Sequence, residues 1–454
     1  MSRGLRGSWL WEVLLATALG ASASPVAAQV PGADQVQAVT LANGMQVIVW
    51  PDRDIPNVAL FNWVHVGSRN EVPGITGLAH FFEHMMFNGT STHPQGDFDR
   101  ILEANGARNN AFTTNDVTVY QDWMPRGALQ TVFDLEADRL RNLAFDPKVI
   151  ESERGVVHSE RRLRIDDSYI GRLQEQVQAT AFVAHPYGIP TIGWPSDIAS
   201  WSIDDLKTFF ATNYAPNNCT LVLVGDFDPQ SALALARQYF EPIPAHAPPK
   251  PILTKEPVQQ GERRVSIEAD AQTPLLQFAY HALSGADPRQ PALELLTRIL
   301  TDGDASRLHR VLVEEQKLAI SADSYVDRGF DPGLAWFLLA LPAGGDTQKA
   351  EAAFDREIER LSKDGVTAQE LTRARNQALA DFWRGLATID GKAQALGTYA
   401  VLQGGYKRLF EAPRAYESVT ADDIRKLAVE LLQPTNRTVG VLSAKAAAGQ
   451  GAAQ

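Results

Sequence analysis

Between Leu78 and Phe87 the apolar residues recur at helical spacing. Leu78, Phe81, Phe82, Met85 and Met86 share one side of such a helix, while His80, Glu83 and His84 fall within about 100° of one another on the other. Thr76 suits the N-cap and Gly89 the stop. TVFDLEADRLRNL (131–143) keeps the same period, and DPKVIESERGVVHSERRLRIDD (146–167), opened by Asp146 and Pro147, predicts a further helix. Strands are marked by NVALFNWVHVG (57–67), CTLVLVG (219–225) and LANGMQVIVW (41–50), the last with an Asn43-Gly44 hairpin signal. Strands and helices come in clusters rather than in strict alternation, which predicts an antiparallel α+β fold and not a doubly wound sheet.

The pattern is written twice. SIDDLKTFFATNYAPNNCTLVLVG (202–225) lies without gaps on TADDIRKLAVELLQPTNRTVGVLS (420–443), aligning Asp205 with Asp423, Pro216 with Pro434 and Asn218 with Asn436. Pro125 and Gly127 recur as Pro342 and Gly344. Between the repeats, PIPAHAPPKPILTKEP holds six prolines and predicts an extended, semi-rigid connection. The expected organisation is an N-terminal half over 29–241, a linker over 242–258, a homologous C-terminal half over 259–445 and a disordered tail over 446–454. Each half is expected to be an antiparallel sheet packed with helices. The histidine helix is not repeated, since the second half reads LELLTRILTDGDASRL (293–308) at that place.

Composition narrows the partners. A formal net charge of -12 with no basic stripe argues against nucleic acid, and 44% apolar with 21% charged residues is an ordinary globular composition. Arg3 and Arg6 precede the apolar run Val13–Ala23, and Val26-Ala27-Ala28 suits cleavage, so residues 1–28 read as a signal peptide and the mature chain as periplasmic or secreted. Glu12 sits awkwardly beside that run, and an amphipathic first helix is the alternative. No later stretch reaches about 18 apolar residues, so no membrane span is expected after cleavage. Cys219 is the only cysteine, which precludes an internal disulfide, and its apolar neighbours predict a buried thiol.

Two imidazoles one helical turn apart can hold one divalent ion from the same side, with the carboxylate between them beside it. An amphipathic helix with three solvated polar residues would show the same pattern. A hydrolytic zinc needs a third protein ligand, and the helix predicted after Asp146 is the best supply. Its Glu153 and Glu160 stand two turns apart and point the same way, whereas His158 lies off that face. From composition alone, a run this charged is more commonly a solvated helix.

HFFEHMMFNGT (80–90), NNAFTTNDVTVY (109–120) and ESERGVVHSE (151–160), in this order, resemble the pitrilysin family of zinc peptidases, the inverzincins that include insulin-degrading enzyme and the mitochondrial processing peptidase. The resemblance extends over nearly all of the mature chain, including YAPNNCTLVLVGD (214–226) and the duplication. It implies a zinc metalloendopeptidase with one Zn²⁺ per chain, held by His80, His84 and Glu160, with Glu83 as general base. It makes Glu153 a supporting acid that orients a histidine or the base, and Asn110 and Ala111 the edge-strand pair that meets substrate backbone. Taken alone, Asn110 and Ala111 would read as a strand turn. The His84 to Glu160 spacing is one residue shorter than the commonest in the family.

Complete sites of this family also draw an Arg, and a Tyr seven positions later, from the second half. SRLHRVLVEEQKLAISADSY (306–325) puts Val313 and Ile320 at those places. The resemblance therefore implies a heterodimer in which a homologous subunit supplies the Arg and Tyr across a closed chamber that takes unfolded peptides; a homodimer is the alternative assembly. A non-catalytic peptide-binding or core subunit is the competing class, although such relatives commonly lose the zinc motif. A peptidase dedicated to one small precursor peptide would share every residue named here.

Overall fold

A computed structural model describes residues 30–444 of the chain. The expected signal peptide and the tail over 446–454 lie outside the described residues. In the first half, β1 (Gln37–Thr40), β2 (Gln46–Pro51), β3 (Asn57–Val64), β4 (Arg108–Thr113), β5 (Thr118–Pro125) and β6 (Cys219–Gly225) form one sheet in the order β1-β2-β6-β3-β5-β4. In the second, β7 (Arg263–Ala269), β8 (Leu275–His281), β9 (Ser321–Val326), β10 (Leu334–Ala340) and β11 (Arg437–Ala444) follow the order β7-β11-β8-β10-β9. The expectation of an α+β molecule in two homologous halves holds, with one addition. The last strand of each half inserts beside an early one, making β2–β6 and β7–β11 parallel while the other pairs are antiparallel. Residues 244–260, rich in proline, form neither helix nor strand.

The duplication reaches individual hydrogen bonds. Ser202 and Thr420 cap the helices Ile203–Asn213 and Ala421–Leu431 through reciprocal boxes with Asp205 and Asp423. The Asn218 amide donates to the carbonyls of His65 and Asn213, and Asn436 donates to those of His281 and Leu431. Each asparagine thereby ties a helix end to a neighbouring strand end at the same point of its half.

The halves also exchange helices. One face of each sheet packs on helices of its own half. The other face of the first sheet, with Trp50, Phe61, Trp63 and Val222, is covered by Ile389, Ala393 and Leu396 of the helix Ile389–Val401 from the second half. In return, Leu173, Val177 and Ala181 of the helix Tyr169–Ala181 pack on Leu275, Trp336 and Leu442 of the second sheet. Close approach here requires glycine: a Cβ at Gly397 would lie 2.2 Å from the Trp63 ring, and one at Gly440 2.4 Å from Val177. Cys219 is buried as expected, its thiol donating to the Ala215 carbonyl. Among the described residues no helix is long and apolar enough to cross a membrane.

Candidate metal centre

The histidine helix runs over Leu78–Met85, shorter than the sequence predicts at both ends. Gly77, at φ 89°, takes the N-cap position in place of Thr76. The buried Glu71 carboxylate satisfies the helix start, accepting from the Gly77 and Ala79 N–H groups at 2.7 Å each. The Thr76 hydroxyl instead donates to Asp197 (2.7 Å) and accepts from the Trp194 N–H (2.9 Å). At the other end the helix stops at Met86, before Gly89 turns the chain. Leu78, Phe81, Phe82 and Met85 are buried as their spacing requires, with Phe82 packed on Phe209 and Tyr214. That anchorage fixes the rotation of the helix and so the direction of its polar side.

The glutamate helix runs over Pro147–Arg161 and begins as predicted, with the Asp146 carboxylate accepting from the Lys148 N–H (2.7 Å). It delivers Glu160 to the histidines, with Oε2 3.5 Å from His80 Nε2 and 3.2 Å from His84 Nε2. One donor atom from each of His80, His84 and Glu160 lies within 4.8 Å of the others. Two turns earlier, Glu153 Oε1 stands 2.8 Å from His84 Nδ1, and the second Glu160 oxygen meets Arg164 Nε at 3.0 Å.

Glu83 lies on the same turn as the histidines, and its Oε2 accepts a hydrogen bond from the Thr113 hydroxyl (2.6 Å). Thr113 belongs to β4, as do Asn110 and Ala111. These two lie within the strand and form no turn: Asn110 stands opposite Gln121 and Ala111 opposite Tyr120. Among the described residues β4 ends its sheet, so no strand there pairs with its outer edge. The sequence reading missed Thr113, although strand alternation puts it on the same face as Ala111.

Burial, reinforced by the proximity of His84, lowers the His80 pKa to about 4, which leaves a neutral imidazole. Burial acts the same way on His84, but hydrogen bonds to Glu153 and Glu160 prevail and raise it to about 9. Its hydrogen bond to His84 holds Glu160 below the ordinary carboxylate range, whereas burial pushes Glu83 above it despite Thr113. Carboxylates thus surround the imidazoles, and their field favours positive charge, whether a proton on His84 or a metal ion in its place.

The donor set fits zinc. Two imidazole nitrogens and a carboxylate oxygen are a hydrolytic zinc's usual protein ligands, and around a tetrahedral ion they stand roughly 3.3 Å apart. The two carboxylate-to-imidazole separations, 3.2 and 3.5 Å, bracket that value. Residues 48–194, which hold this whole arrangement, match the family model described as Insulinase (Peptidase family M16), and residues 200–378 match that described as Peptidase M16 inactive domain. The chain belongs to the M16 peptidase family. Among its M16 relatives, zinc protease PqqE of Helicobacter pylori is 31% identical over 413 residues, covering 88% of this chain and 91% of that protein. Mitochondrial-processing peptidase subunit beta of Lentinula edodes is 26% identical, covering 87% and 86%. The crystal structure of a protease from Helicobacter pylori superposes with a TM-score of 0.87 at 29% identity, covering 90% of this chain and 99% of that one.

Val313 and Ile320 are the residues that the sequence resemblance set at the expected Arg and Tyr positions, and both are apolar. Val313 packs against the second core, and Ile320 is 58% exposed. Nearby Arg307 is held by Glu370 (2.7 Å) and the Gly365 carbonyl, and the Tyr325 hydroxyl accepts from the Gln174 amide (2.8 Å).

Proposed function

We propose that the chain is a zinc metalloendopeptidase acting on unfolded peptides, and that it is the metal-bearing subunit of a two-subunit enzyme. The observation that carries this reading is the convergence of His80, His84 and Glu160 beside a Glu83 held through one oxygen only. These three residues would hold the ion. When bound, Zn²⁺ supplies Lewis acidity, acidifying a water towards about pKa 7 and polarising a peptide carbonyl.

Glu83 offers its free Oε1 to take a proton from the attacking water and pass it to the leaving amine, while Thr113 keeps the carboxylate from turning away. Burial makes Glu83 a stronger base than an exposed glutamate. Glu153, at His84 Nδ1, keeps the proton on that nitrogen and leaves Nε2 free as a donor to the ion. An extended substrate would add to the open edge of β4 at Asn110 and Ala111, which requires a segment with free backbone groups.

The apolar Val313 and Ile320 support the second part of the reading. A missing oxyanion donor typically costs about 2.7–4 kcal/mol, so a homologous subunit carrying the Arg and Tyr would raise turnover 10²- to 10³-fold. The similarity to a processing-peptidase subunit agrees with that division. Export to the periplasm or beyond is part of the proposal and rests on residues 1–28 alone.

A peptide-holding subunit without catalysis is the second reading, favoured by the absent pair and by the inactive-domain match over residues 200–378. Zinc content and cleavage of unfolded peptides, measured with and without a homologous partner, separate the two. The expected result is one zinc per chain, cleavage that rises with the partner, and a Glu83→Gln variant that keeps zinc but loses 10²- to 10⁴-fold in kcat. Wild-type turnover in Glu83→Gln would remove the base, and a zinc-loaded chain that never cleaves with any partner would favour the second reading.

A further inference from the structure

We infer that Arg161 is a positioning residue that sets the distance between Glu160 and the two imidazoles; the inference rests on the zinc reading above. Arg161 follows Glu160 at the end of the glutamate helix and is only 3% exposed. Its guanidinium grips Glu175 with two hydrogen bonds (2.8 and 3.0 Å), and Nη1 also donates to the Gly193 carbonyl (2.8 Å).

Arg161 Nη2 also lies 3.4 Å from the half-exposed Asp166 in the turn that follows, but the two buried partners belong to different parts of the molecule. Glu175 lies on the helix Tyr169–Ala181, which packs on the second sheet. Gly193 lies against the start of the histidine helix so closely that a Cβ on it would stand 2.6 Å from the Gly77 nitrogen. One buried side chain therefore registers the end of the glutamate helix against both the beginning of the histidine helix and the other half.

The local backbone explains the need for such a tie. Directly after Arg161 the chain passes through a π-helical turn, Arg162–Asp166, before turning into the helix Tyr169–Ala181. A π turn interrupts the regular i→i+4 bonding of an α-helix and is frequently found at functional sites. Glu160 thus sits on the last turn before a break, and its other polar contact outside the cluster, Arg164, is 70% exposed. Arg161 touches none of the three donor atoms; it acts through the backbone that carries Glu160.

The test is zinc affinity of the full chain by competition with a chelator, run beside thermal unfolding of the zinc-free proteins. Arg161→Met alone would leave Glu175 buried without its partner, so the main variant is the double Arg161→Met/Glu175→Met, which removes both charges together. Arg161→Lys keeps the charge but not the fork. Glu175→Gln keeps a hydrogen-bonding partner and serves if the double variant does not fold. The expected result is a ten- to hundredfold weaker zinc affinity in the double variant, with a zinc-free melting curve close to wild type and Arg161→Lys in between. Zinc affinity within twofold of wild type in the folded variants would overturn the inference, as would a loss of affinity that only tracks lower zinc-free stability. A wild-type chain that takes up no zinc would instead overturn the metal reading itself.

Discussion

Glu83 and Thr113 meet from different elements, and their contact decides how the base is aimed. A hydrogen bond to a charged group is worth about 1.5–3 kcal/mol, so Thr113→Val should lower kcat about ten- to hundredfold while zinc content stays at wild type, and Thr113→Ser should restore most of it. Steady-state kinetics with metal analysis checks this; unchanged kcat in Thr113→Val would mean that Glu83 needs no such hold. At this scale the sequence was legible where the reason was local. Helical period alone put His80, Glu83 and His84 on one side. It could not choose between Glu153 and Glu160, which share a face, and only the structure shows one at Nδ1 of His84 and the other at Nε2. Thr113 escaped notice because its contact runs through space between a strand and a helix. Thr76 was misread as a cap because Asp197, far along the chain, claims its hydroxyl.

Elements were legible where the chemistry of their ends is local to the chain. The Asn43-Gly44 turn and the Asp146-Pro147 start form as predicted, and the aligned Asp205 and Asp423 turn out to close capping boxes on Ser202 and Thr420. The parallel partners of β6 and β11 were not legible, because the slot a returning strand takes is set by the whole sheet. One connection between strands makes a pH-dependent contribution. Asp327, between β9 and β10, accepts from the Trp336 indole N–H (3.0 Å) and the Leu334 N–H (3.2 Å), yet burial raises its pKa to about 6 from the ordinary 3.8. Between those values the folded chain holds a proton that the unfolded chain has released, so this contribution to stability is full below the lower value and lost as pH rises through the upper. Asp327→Asn should therefore be more stable than wild type at pH 7, by up to about 3 kcal/mol, with little difference at pH 4. Denaturant unfolding at both pH values checks this; a variant less stable at pH 7 would contradict it.

The whole molecule is held by the exchange of helices between halves. The apolar period of the helix Ile389–Val401 would be the same whichever sheet it covered, so the duplication was readable while the exchange was not. Because Gly397 lies against Trp63, Gly397→Ala should destabilise the chain by about 1–3 kcal/mol in denaturant unfolding, although it is far along the chain from the first half. Wild-type stability would mean the two halves can part there without loss. The same exchange ties the glutamate helix to the second sheet, so metal-site geometry is a property of both halves together. Its most direct test is an anomalous difference map recorded at the zinc edge from crystals of the zinc-loaded chain. The expected result is a single strong peak about 2.0–2.2 Å from His80 Nε2, His84 Nε2 and a Glu160 oxygen. A peak elsewhere, or one that Glu160 does not reach, would contradict the proposed centre.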